Sequence, residues 1–303
     1  MLIDKPGKIA DGLYLMGQKS NLVYLVQGKQ SMIIGGGMNW IAPHLEQQFI
    51  DMHVDPHDIK YLVIQHTHFD HVGAVPYLKT KFPWIKIFAT GSAKKILSKE
   101  KAISYIKSGN NRVLGITVSP DRYNEWEMTV DKIEVDETIN NNTVIELGNG
   151  IDVHFIETPG HSPCSVSVYI PKLKAIFPSD SAPCALGSIQ KLISPSPQYD
   201  WSLYKQSLQD LLQYDIEVCC FEHEAAVTGE DARTVLVNGL NLCTEYEKYI
   251  LGLYNESGDI EKVASQDAVD MTNSMDWNFY DEELGILASR IVVRNILKSA
   301  GIV

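Results

Sequence analysis

The segment His66-Thr67-His68-Phe69-Asp70-His71 holds three of the nine histidines of this 303-residue chain, together with an aspartate. The apolar run Tyr61-Leu62-Val63-Ile64 stands just before it and is typical of a buried strand. The polar segment is therefore predicted to lie in a loop at the end of a strand. Burying three imidazoles and a carboxylate together is costly unless they share a cation, so the segment favours a fold that holds a metal at a sheet edge.

Length and composition indicate a globular protein with a sizeable core, formed by one large domain or two modest ones. Hydrophobic residues make up 45% of the chain and charged residues 21%, and the formal net charge of -12 argues against a nucleic-acid partner. The sequence shows neither an apolar run long enough to span a membrane nor a signal peptide at its start, so we expect no membrane partner and a cytoplasmic location. Five cysteines without CxxC spacing indicate free thiols.

Short apolar runs separated by turn residues fill the first part of the chain and predict a strand meander over residues 12–34. Apolar residues at helical spacing follow over 41–51, and a second helix is predicted from Val75 onward. Another strand is predicted over 85–89. Strands and helices thus alternate in the α/β manner, with both faces of a sheet covered.

The pattern changes at about residue 92, where helical spacing predicts a helical insertion over about 92–130. Strands return between 143 and 177, and helical spacing resumes in the last 75 residues. We therefore predict a catalytic domain over residues 1–228 that contains the insertion, and a C-terminal helical cap over residues 229–303. Four aromatic residues outside the strands are interpreted as core residues more readily than as pocket residues: Tyr123, Trp126, Trp201 and Trp277.

Three further polar residues stand directly after predicted strands, as the first cluster does. His161 follows the strand that ends at Ile156 and a tight turn, Asp180 follows the apolar run 175–178, and His223 follows the last predicted strand. Four residues cannot saturate two cations, so these three are the candidates that complete a site for two divalent metal ions. Imidazole and carboxylate donors suit zinc first, with iron and manganese as alternatives.

The order HxHxDH, then His, Asp and His resembles the metallo-β-lactamase superfamily, over about residues 10–228. The resemblance implies an α/β fold, the metallo-β-lactamase-like αββα sandwich, with the site at one edge of two facing sheets. It implies that one metal is held by His66, His68 and His161, that the other is held by Asp70, His71 and His223, and that Asp180 bridges them. A metal-bridging hydroxide would be the nucleophile, and Asp70 would also act as the catalytic proton carrier.

Within the superfamily, the helical insertion and the helical C-terminus look most like the quinolone-signal response thioesterase group. That narrower resemblance implies a pocket roofed by the C-terminal helices and a thioester or related acyl substrate, such as a lactone. The chain also departs from the superfamily pattern. Ser179 and the residues flanking His223, Glu222 and Glu224, stand where glycines are usual, and no acidic residue stands at the start of the triple-glycine turn, in Ile33-Ile34-Gly35.

Several functions stay open on the sequence alone. The same site would serve a phosphodiesterase or phosphocholine-type esterase, and a basic pocket wall would favour that alternative. A regulatory protein acting through a partner, with residual hydrolase activity, is a third reading, and persulfide dioxygenase activity is not excluded. A flavodiiron oxidoreductase is disfavoured because its first motif has Glu where His68 stands and because it needs a flavodoxin module. We expect a small-molecule substrate, and a homodimer is an open alternative.

Overall fold

The computed structural model describes residues 1–117, 130–274 and 282–303. The end of the predicted helical insertion lies outside these ranges, as do Tyr123, Trp126 and Trp277. The strands, numbered in chain order, are β1 (Leu2–Ile3), β2 (Gly7–Ala10), β3 (Leu13–Gln18), β4 (Asn21–Gln27), β5 (Ser31–Ile34), β6 (Ile59–Val63), β7 (Lys86–Thr90), β8 (Glu137–Ile139), β9 (Val144–Gly148), β10 (Ile151–Glu157), β11 (Val166–Ile170), β12 (Ala175–Phe177), β13 (Ala185–Ser188), β14 (Lys191–Leu192), β15 (Val218–Cys220) and β16 (Ala226–Thr228).

The α-helices of the described ranges are interleaved with these strands and gather at the end of the chain. They are α1 (Ala42–Asp51), α2 (Val75–Lys81), α3 (Gly91–Leu97), α4 (Glu100–Thr117), α5 (Trp201–Leu211), α6 (Glu230–Ser257), α7 (Ile260–Ser274) and α8 (Glu282–Ser299). Within these ranges, no helix has the length and apolar character that crossing a membrane requires.

Two large sheets form the centre of the described structure. The first has the spatial order β2-β3-β4-β5-β6-β7-β8, antiparallel from β2 to β5 and parallel from β5 to β8. The second has the order β1-β16-β15-β12-β11-β10-β9 and is antiparallel except where β12 runs parallel to β15. Most of the candidate ligands follow the carboxyl ends of three strands. One of these strands, β6, belongs to the first sheet, and the other two, β12 and β15, belong to the second.

Three apolar cores give the fold its layers. Side chains from both sheets, such as Tyr24 and Phe177, share the core between the sheets and pack edge to face with ring centroids 5.3 Å apart. Helices α1 to α4 bury their apolar faces against the outer side of the first sheet, and α5 to α8 cover the second. The order of layers is helix, sheet, sheet, helix, which confirms the αββα sandwich predicted from the sequence.

The C-terminal helices share their core with the second sheet. Trp201 of α5 is fully buried in this core and stacks on Tyr204 at a centroid distance of 6.2 Å, which confirms its interpretation as a core residue. Val292 and Val293 of α8 lie in the same core as Phe221, which follows β15. The C-terminal helices thus belong to the same packed body as the second sheet, whereas the domain boundary at residue 228 stays a prediction.

Candidate metal centre

All seven candidate ligands lie together at one edge of the two sheets. His66 follows β6 by three residues, while Asp70 and His71 lie on the short 3-10 helix Phe69–His71. His68 directly precedes that helix. Asp180 lies on a second 3-10 helix, Ser179–Ser181, which begins two residues after β12, while His161 and His223 follow β10 and β15. The geometry therefore gathers residues that are as far apart in the chain as His66 and His223.

One group of donors consists of His66, His68, His161 and Asp180. Nε2 of His161 lies 2.8 Å from Nδ1 of His68 and 3.3 Å from Oδ2 of Asp180. Nε2 of His66 lies 3.6 Å from the same carboxylate oxygen. Three imidazole nitrogens and one carboxylate oxygen therefore point at a common centre, which is the donor set of a four-coordinate zinc-type site.

A second group consists of Asp70, His71 and His223. Nε2 of His71 lies 3.3 Å from Oδ2 of Asp70 and 3.2 Å from Nε2 of His223. Asp180 lies beside this group too, with Oδ2 3.2 Å from His71 Nε2 and Oδ1 3.6 Å from His223 Nε2. Asp180 is thus the carboxylate shared by both groups, in the position of a bridging ligand.

Backbone carbonyls fix the tautomers of two of these histidines. Nδ1 of His161 lies 2.6 Å from the carbonyl oxygen of Ser196, and Nδ1 of His223 lies 2.7 Å from that of Ser20. A carbonyl oxygen only accepts, so each Nδ1 carries a proton and each ring directs Nε2 to the centre. Both rings are therefore oriented as metal ligands before any cation binds.

Burial sets the charge of most imidazoles at the site. It lowers the pKa of His66 well below its ordinary value, and the neighbouring His71 adds to this effect. Burial and the nearby His161 likewise hold the pKa of His68 at about 3. These rings are neutral at physiological pH, which is the state in which imidazole binds a metal.

The carboxylates behave in the opposite way. Burial alone would raise the pKa of Asp70, but His71 and His223 outweigh it and hold that pKa at about 2. Burial also opposes ionisation of Asp180, yet the imidazoles around it keep its pKa well below the ordinary value. For His71, burial acts downward, but Asp70 and Asp180 raise its pKa well above the usual range. Both carboxylates are therefore anionic donors, and metal binding would release the proton of His71.

A buried histidine nitrogen without a hydrogen-bond partner shows that the site fits a cation. Nε2 of His66 is buried and has no hydrogen-bond partner among the described residues, although buried polar atoms are nearly always paired. It points at the centre defined above, where donor atoms of each group lie within 4.8 Å of one another. A divalent cation at that centre would satisfy the nitrogen. The described residues thus contain His and Asp clusters able to hold divalent metal, as predicted, while the identity of the metal stays a prediction.

Two buried asparagines hold the loop that carries the first cluster. Asn21 donates from Nδ2 to the carbonyl oxygen of Asp70 at 2.8 Å and accepts from the backbone N–H of Met38 at 2.6 Å. Asn110 of α4 donates to the carbonyl oxygen of Phe69 at 2.6 Å. The glycine turn packs against the same loop, because a Cβ on Gly36 would meet the carbonyl oxygen of His71. The triple glycine is therefore a close-packed turn at the metal edge, as interpreted from the sequence.

Gln65, the residue before His66, connects the two sheets. Its side-chain Nε2 donates to the carbonyl oxygens of Val166 at 3.1 Å and Phe177 at 2.8 Å, on β11 and β12. Its own carbonyl oxygen accepts from the N–H of Val166 at 2.9 Å. The first cluster, on one sheet, is thus fixed against the strands that lead to His161 and Asp180 on the other.

A pocket opens from the donor atoms and encloses about 690 Å³ of free space, part of it open to solvent. Around the donors its wall is largely apolar, with a few hydroxyl and amide groups, and the residues beyond the ligands are Ser179, Ala182, Pro183, Cys184, Ile193, Ser194, Ser196, Gln198, Tyr204, Phe221 and Met271. Met271 belongs to α7, so the C-terminal helices reach the site. No Lys or Arg appears among the described lining residues.

Residues 16–223 match the family model of the metallo-beta-lactamase superfamily, which is more than half of the chain. The chain belongs to this superfamily. A metallo-beta-lactamase fold-containing protein of Sulfurisphaera tokodaii is 28% identical over 210 residues, covering 68% of this chain and 73% of that protein. The anaerobic nitric oxide reductase flavorubredoxin of Aliivibrio salmonicida is 26% identical over 162 residues, which cover 52% of this chain but only 26% of the flavorubredoxin.

Solved structures of the superfamily share the fold. An archaeal superfamily protein from Sulfolobus tokodaii superposes with a TM-score of 0.58 at 22% identity, covering 95% of this chain and 98% of that one. The MIM-2 metallo-beta-lactamase gives a TM-score of 0.57 at 18% identity, with coverages of 80% and 91%. Rubredoxin oxygen:oxidoreductase from Desulfovibrio gigas gives 0.56 at 17% identity, with coverages of 79% and 62%. At these identities the likeness shows the fold and leaves the reaction open.

The polar residues that support this candidate metal centre were mostly not predicted from the sequence. Asn21 begins an apolar run and Gln65 ends one, which is the one signal that could have marked them as buried polar groups. Ser179 and Glu222 were noted as departures from the family pattern, and their contacts are described below. The narrower resemblance to the thioesterase group stays a prediction.

Proposed function

We propose that the chain is a metal-dependent hydrolase that acts on an uncharged acyl group, as in a thioester or a lactone. The observation that carries this proposal is the pocket at the donor atoms, whose described wall is apolar on several sides and contains no cationic side chain. Apolar walls bind acyl chains through the hydrophobic effect, whereas Lys or Arg on the wall would favour a phosphate or carboxylate group.

The proposed ligands are the seven residues predicted from the sequence, held as two groups that share Asp180. When bound, divalent cations at such a site lower the pKa of water towards neutrality and polarise the substrate's carbonyl oxygen. His161 and His223 hold their rings in position through the carbonyl oxygens of Ser196 and Ser20, so the site needs little rearrangement on loading. Ser194 and Gln198 offer polar groups on the pocket wall for orienting the substrate.

Asp70 is the proposed proton carrier. Its carboxylate lies at the donor atoms and at the pocket, with Oδ2 3.3 Å from His71 Nε2 and 3.6 Å from His223 Nε2. Its pKa, held at about 2, keeps it ionised. As an anion at the donor atoms, it would be the group that takes up a proton as the nucleophile attacks and later donates it to the leaving thiolate or alkoxide. Asp70 would therefore serve both as a ligand and as a general acid and base.

The C-terminal helices support an acyl substrate in a second way. A smaller cavity on the other side of His68 is lined by Tyr105 of α4 and by four residues of α8: Leu284, Leu287, Ala288 and Ile291. It shares His68 and Gln198 with the main pocket. An apolar chain longer than the main pocket holds could continue along this second surface.

The phosphodiesterase alternative is weaker because it needs a basic wall, and the described wall has none. The oxidoreductase alternative has one supporting observation, the sequence match to flavorubredoxin over 26% of that protein's length. His68 argues against it, because the flavodiiron pattern has Glu at this position, whereas Nδ1 of His68 lies 2.8 Å from His161 Nε2 within the donor group.

Elemental analysis of the purified protein, followed by a substrate panel, tests the proposal. We expect about two metal ions per chain and turnover of an acyl thioester or a lactone, with little turnover of a phosphodiester. A protein that binds less than about one ion per chain, and whose thermal stability does not change with a chelator, would refute the metal site. A loaded protein that hydrolyses only the phosphodiester would refute the substrate class while leaving the metal site intact.

A further inference from the structure

A buried carboxylate, Glu222, lies behind two of the proposed ligands. Its side chain is 1% exposed, and its Oε2 lies 3.0 Å from Nδ1 of His71. The hydroxyl of Ser179 donates to the same oxygen in a short hydrogen bond. Oγ of Ser179 also lies 3.1 Å from Nδ1 of His66. One carboxylate therefore contacts two imidazoles, one of them directly and the other through a hydroxyl group.

The direction of these contacts follows from donor and acceptor chemistry. If His66 and His71 present Nε2 to the cations, each Nδ1 carries a proton. Oγ of Ser179 then accepts a hydrogen bond from Nδ1–H of His66. Its own hydroxyl donates a hydrogen bond to Glu222, which as a carboxylate only accepts. Nδ1 of His71 lies 3.0 Å from the same carboxylate but outside hydrogen-bond geometry, so this contact is electrostatic, and the negative charge favours a proton on that nitrogen. The chain of contacts thus ends on a group that favours the same tautomer in both rings.

The backbone around Glu222 is arranged to leave room for this carboxylate. Gly35, in the glycine turn, has φ +90°, and a Cβ at this position would overlap Oε1 of Glu222. Glu222, arriving from the other sheet, thus places its carboxylate directly against the glycine turn.

The backbone conformation of Ser179 is a second, independent observation, and it supports a role for the hydroxyl group of this residue. It adopts a left-handed backbone conformation with φ +51°, which glycine reaches without strain and serine does not. Glycine is usual at this position in the superfamily pattern. The strained serine supplies a hydroxyl group that glycine lacks, and this hydroxyl contacts both His66 and Glu222.

We propose that Glu222 is a positioning residue that, directly and through Ser179, fixes the rings of His71 and His66 and thereby sets the metal affinity of both groups. The inference rests on the metal site proposed above. His66 belongs to one group of ligands and His71 to the other, so a single buried carboxylate acts on both. Its negative charge makes both imidazoles better donors to a cation.

The test uses the full chain with Zn²⁺ as the probe and competition with a fluorescent chelator as the readout. Glu222→Leu removes the carboxylate but keeps an apolar side chain of similar size in the buried site, and Glu222→Gln keeps an acceptor without the charge. Glu224→Gln is the matched control, because Glu224 is also buried beside His223 but pairs with Lys19 at 3.3 Å. Circular dichroism and thermal unfolding of each metal-free variant report separately on the fold.

We expect Glu222→Leu to weaken binding of both zinc ions by about 10- to 100-fold, with Glu222→Gln intermediate and Glu224→Gln within about twofold of the parent. Ser179→Ala, which keeps Glu222, should weaken binding of the ion held by the group of His66 more than binding of the other ion. If Glu222→Leu does not fold, Glu222→Gln and Ser179→Ala decide the question.

Folded variants at Glu222 and Ser179 that bind both ions with the parent's affinity would overturn this inference alone. A parent protein that binds no zinc would overturn the proposed function and this inference together. Zinc binding by the unaltered chain therefore distinguishes the two failures.

Discussion

The hydroxyl of Tyr246 on α6 donates a 2.8 Å hydrogen bond to Oδ1 of Asp267 on α7, and both side chains are buried. Burial raises the pKa of Asp267, although the neighbouring hydroxyl groups of Ser289 and Tyr246 act in the opposite direction. This carboxyl group lies among the C-terminal helices, and none of the candidate ligands is among the groups that shift its pKa. The stability of these helices is therefore linked to pH independently of the metal site.

The pH dependence has a definite sign. A carboxyl whose pKa is raised on folding stabilises the protein below its ordinary pKa of about 4, and this contribution is lost as pH rises through the folded value. We expect Asp267→Asn, which keeps the acceptor for Tyr246, to raise Tm at about pH 7 and to have little effect at about pH 4. Asp51→Asn is the control, because exposed Asp51 accepts a hydrogen bond from Gln47 and is not among the charges that shift the pKa of Asp267. A gain in Tm that is equal at both pH values would contradict the assignment.

Gly160→Ala should destabilise the protein by roughly 2–4 kcal/mol and displace His161. Gly160 has φ +141°, and a Cβ there would overlap the backbone N and Cα of Tyr204 in α5. Gly187→Ala isolates the backbone contribution, since Gly187 has φ +73° with nothing within 4 Å of the added carbon. Urea unfolding of both variants measures the difference, and equal losses would show that the contact with α5 is unimportant.

Gly35→Ala should lower zinc affinity by about tenfold, because the added methyl group would push the carboxylate of Glu222 away from His71. In a Glu222→Leu background the same change should lower affinity little further, since the carboxylate is already gone. Chelator competition on the two single variants and the double variant measures this coupling. Additive losses in the double variant would mean that the two residues act separately.

Asp180→Ala should reduce metal content to about one ion per chain or fewer, because both donor groups lose their shared carboxylate. Hydrolysis should fall with the metal content. Asp215→Ala, at an exposed carboxylate paired with Lys174, is the control. The same variant separates an enzyme from a regulatory protein, because a biological effect that survives the loss of turnover would favour action through a partner.

Ile193→Trp should narrow the pocket beside the donor atoms. We expect kcat/KM for a long acyl thioester to fall by at least about tenfold, equivalent to about 1.4 kcal/mol, and kcat/KM for an acetyl thioester to change much less. Ile50→Trp, on the exposed side of α1, controls for the added indole. An equal fall for both substrates would place the acyl chain elsewhere.

Much of the fold could be predicted because its strands carry clear local signals. The meander β3 to β5, helix α1 and strand β7 were each predicted within a few residues of their bounds. Strands β1 and β16 were not, because each has only two or three residues and is defined by its partner, Leu2 opposite Val227. The short hairpin β13–β14 was missed for the same reason. Pairing between distant segments leaves little local pattern to recognise.

The candidate ligands could be found from the sequence because each follows a strand and each is a residue type that binds metals. Their supporting contacts could not be found in this way. Glu222 was noted as a departure from the superfamily pattern, but its contact with His71 and Ser179 depends on how two sheets face each other. The cytoplasmic location, the homodimer and the domain boundary at residue 228 stay predictions.

The hydrogen bonds of Gln65 determine how the candidate metal centre responds to pH and salt. Its side-chain and backbone bonds to β11 and β12 involve only amide and carbonyl groups, which neither titrate nor respond strongly to salt. The distance between the two sheets at the edge that carries the donors is therefore held by neutral groups. Acid or high ionic strength would act on the histidines and carboxylates while the frame around them stays in register, so a protein stripped of metal at low pH should regain it on neutralisation without refolding.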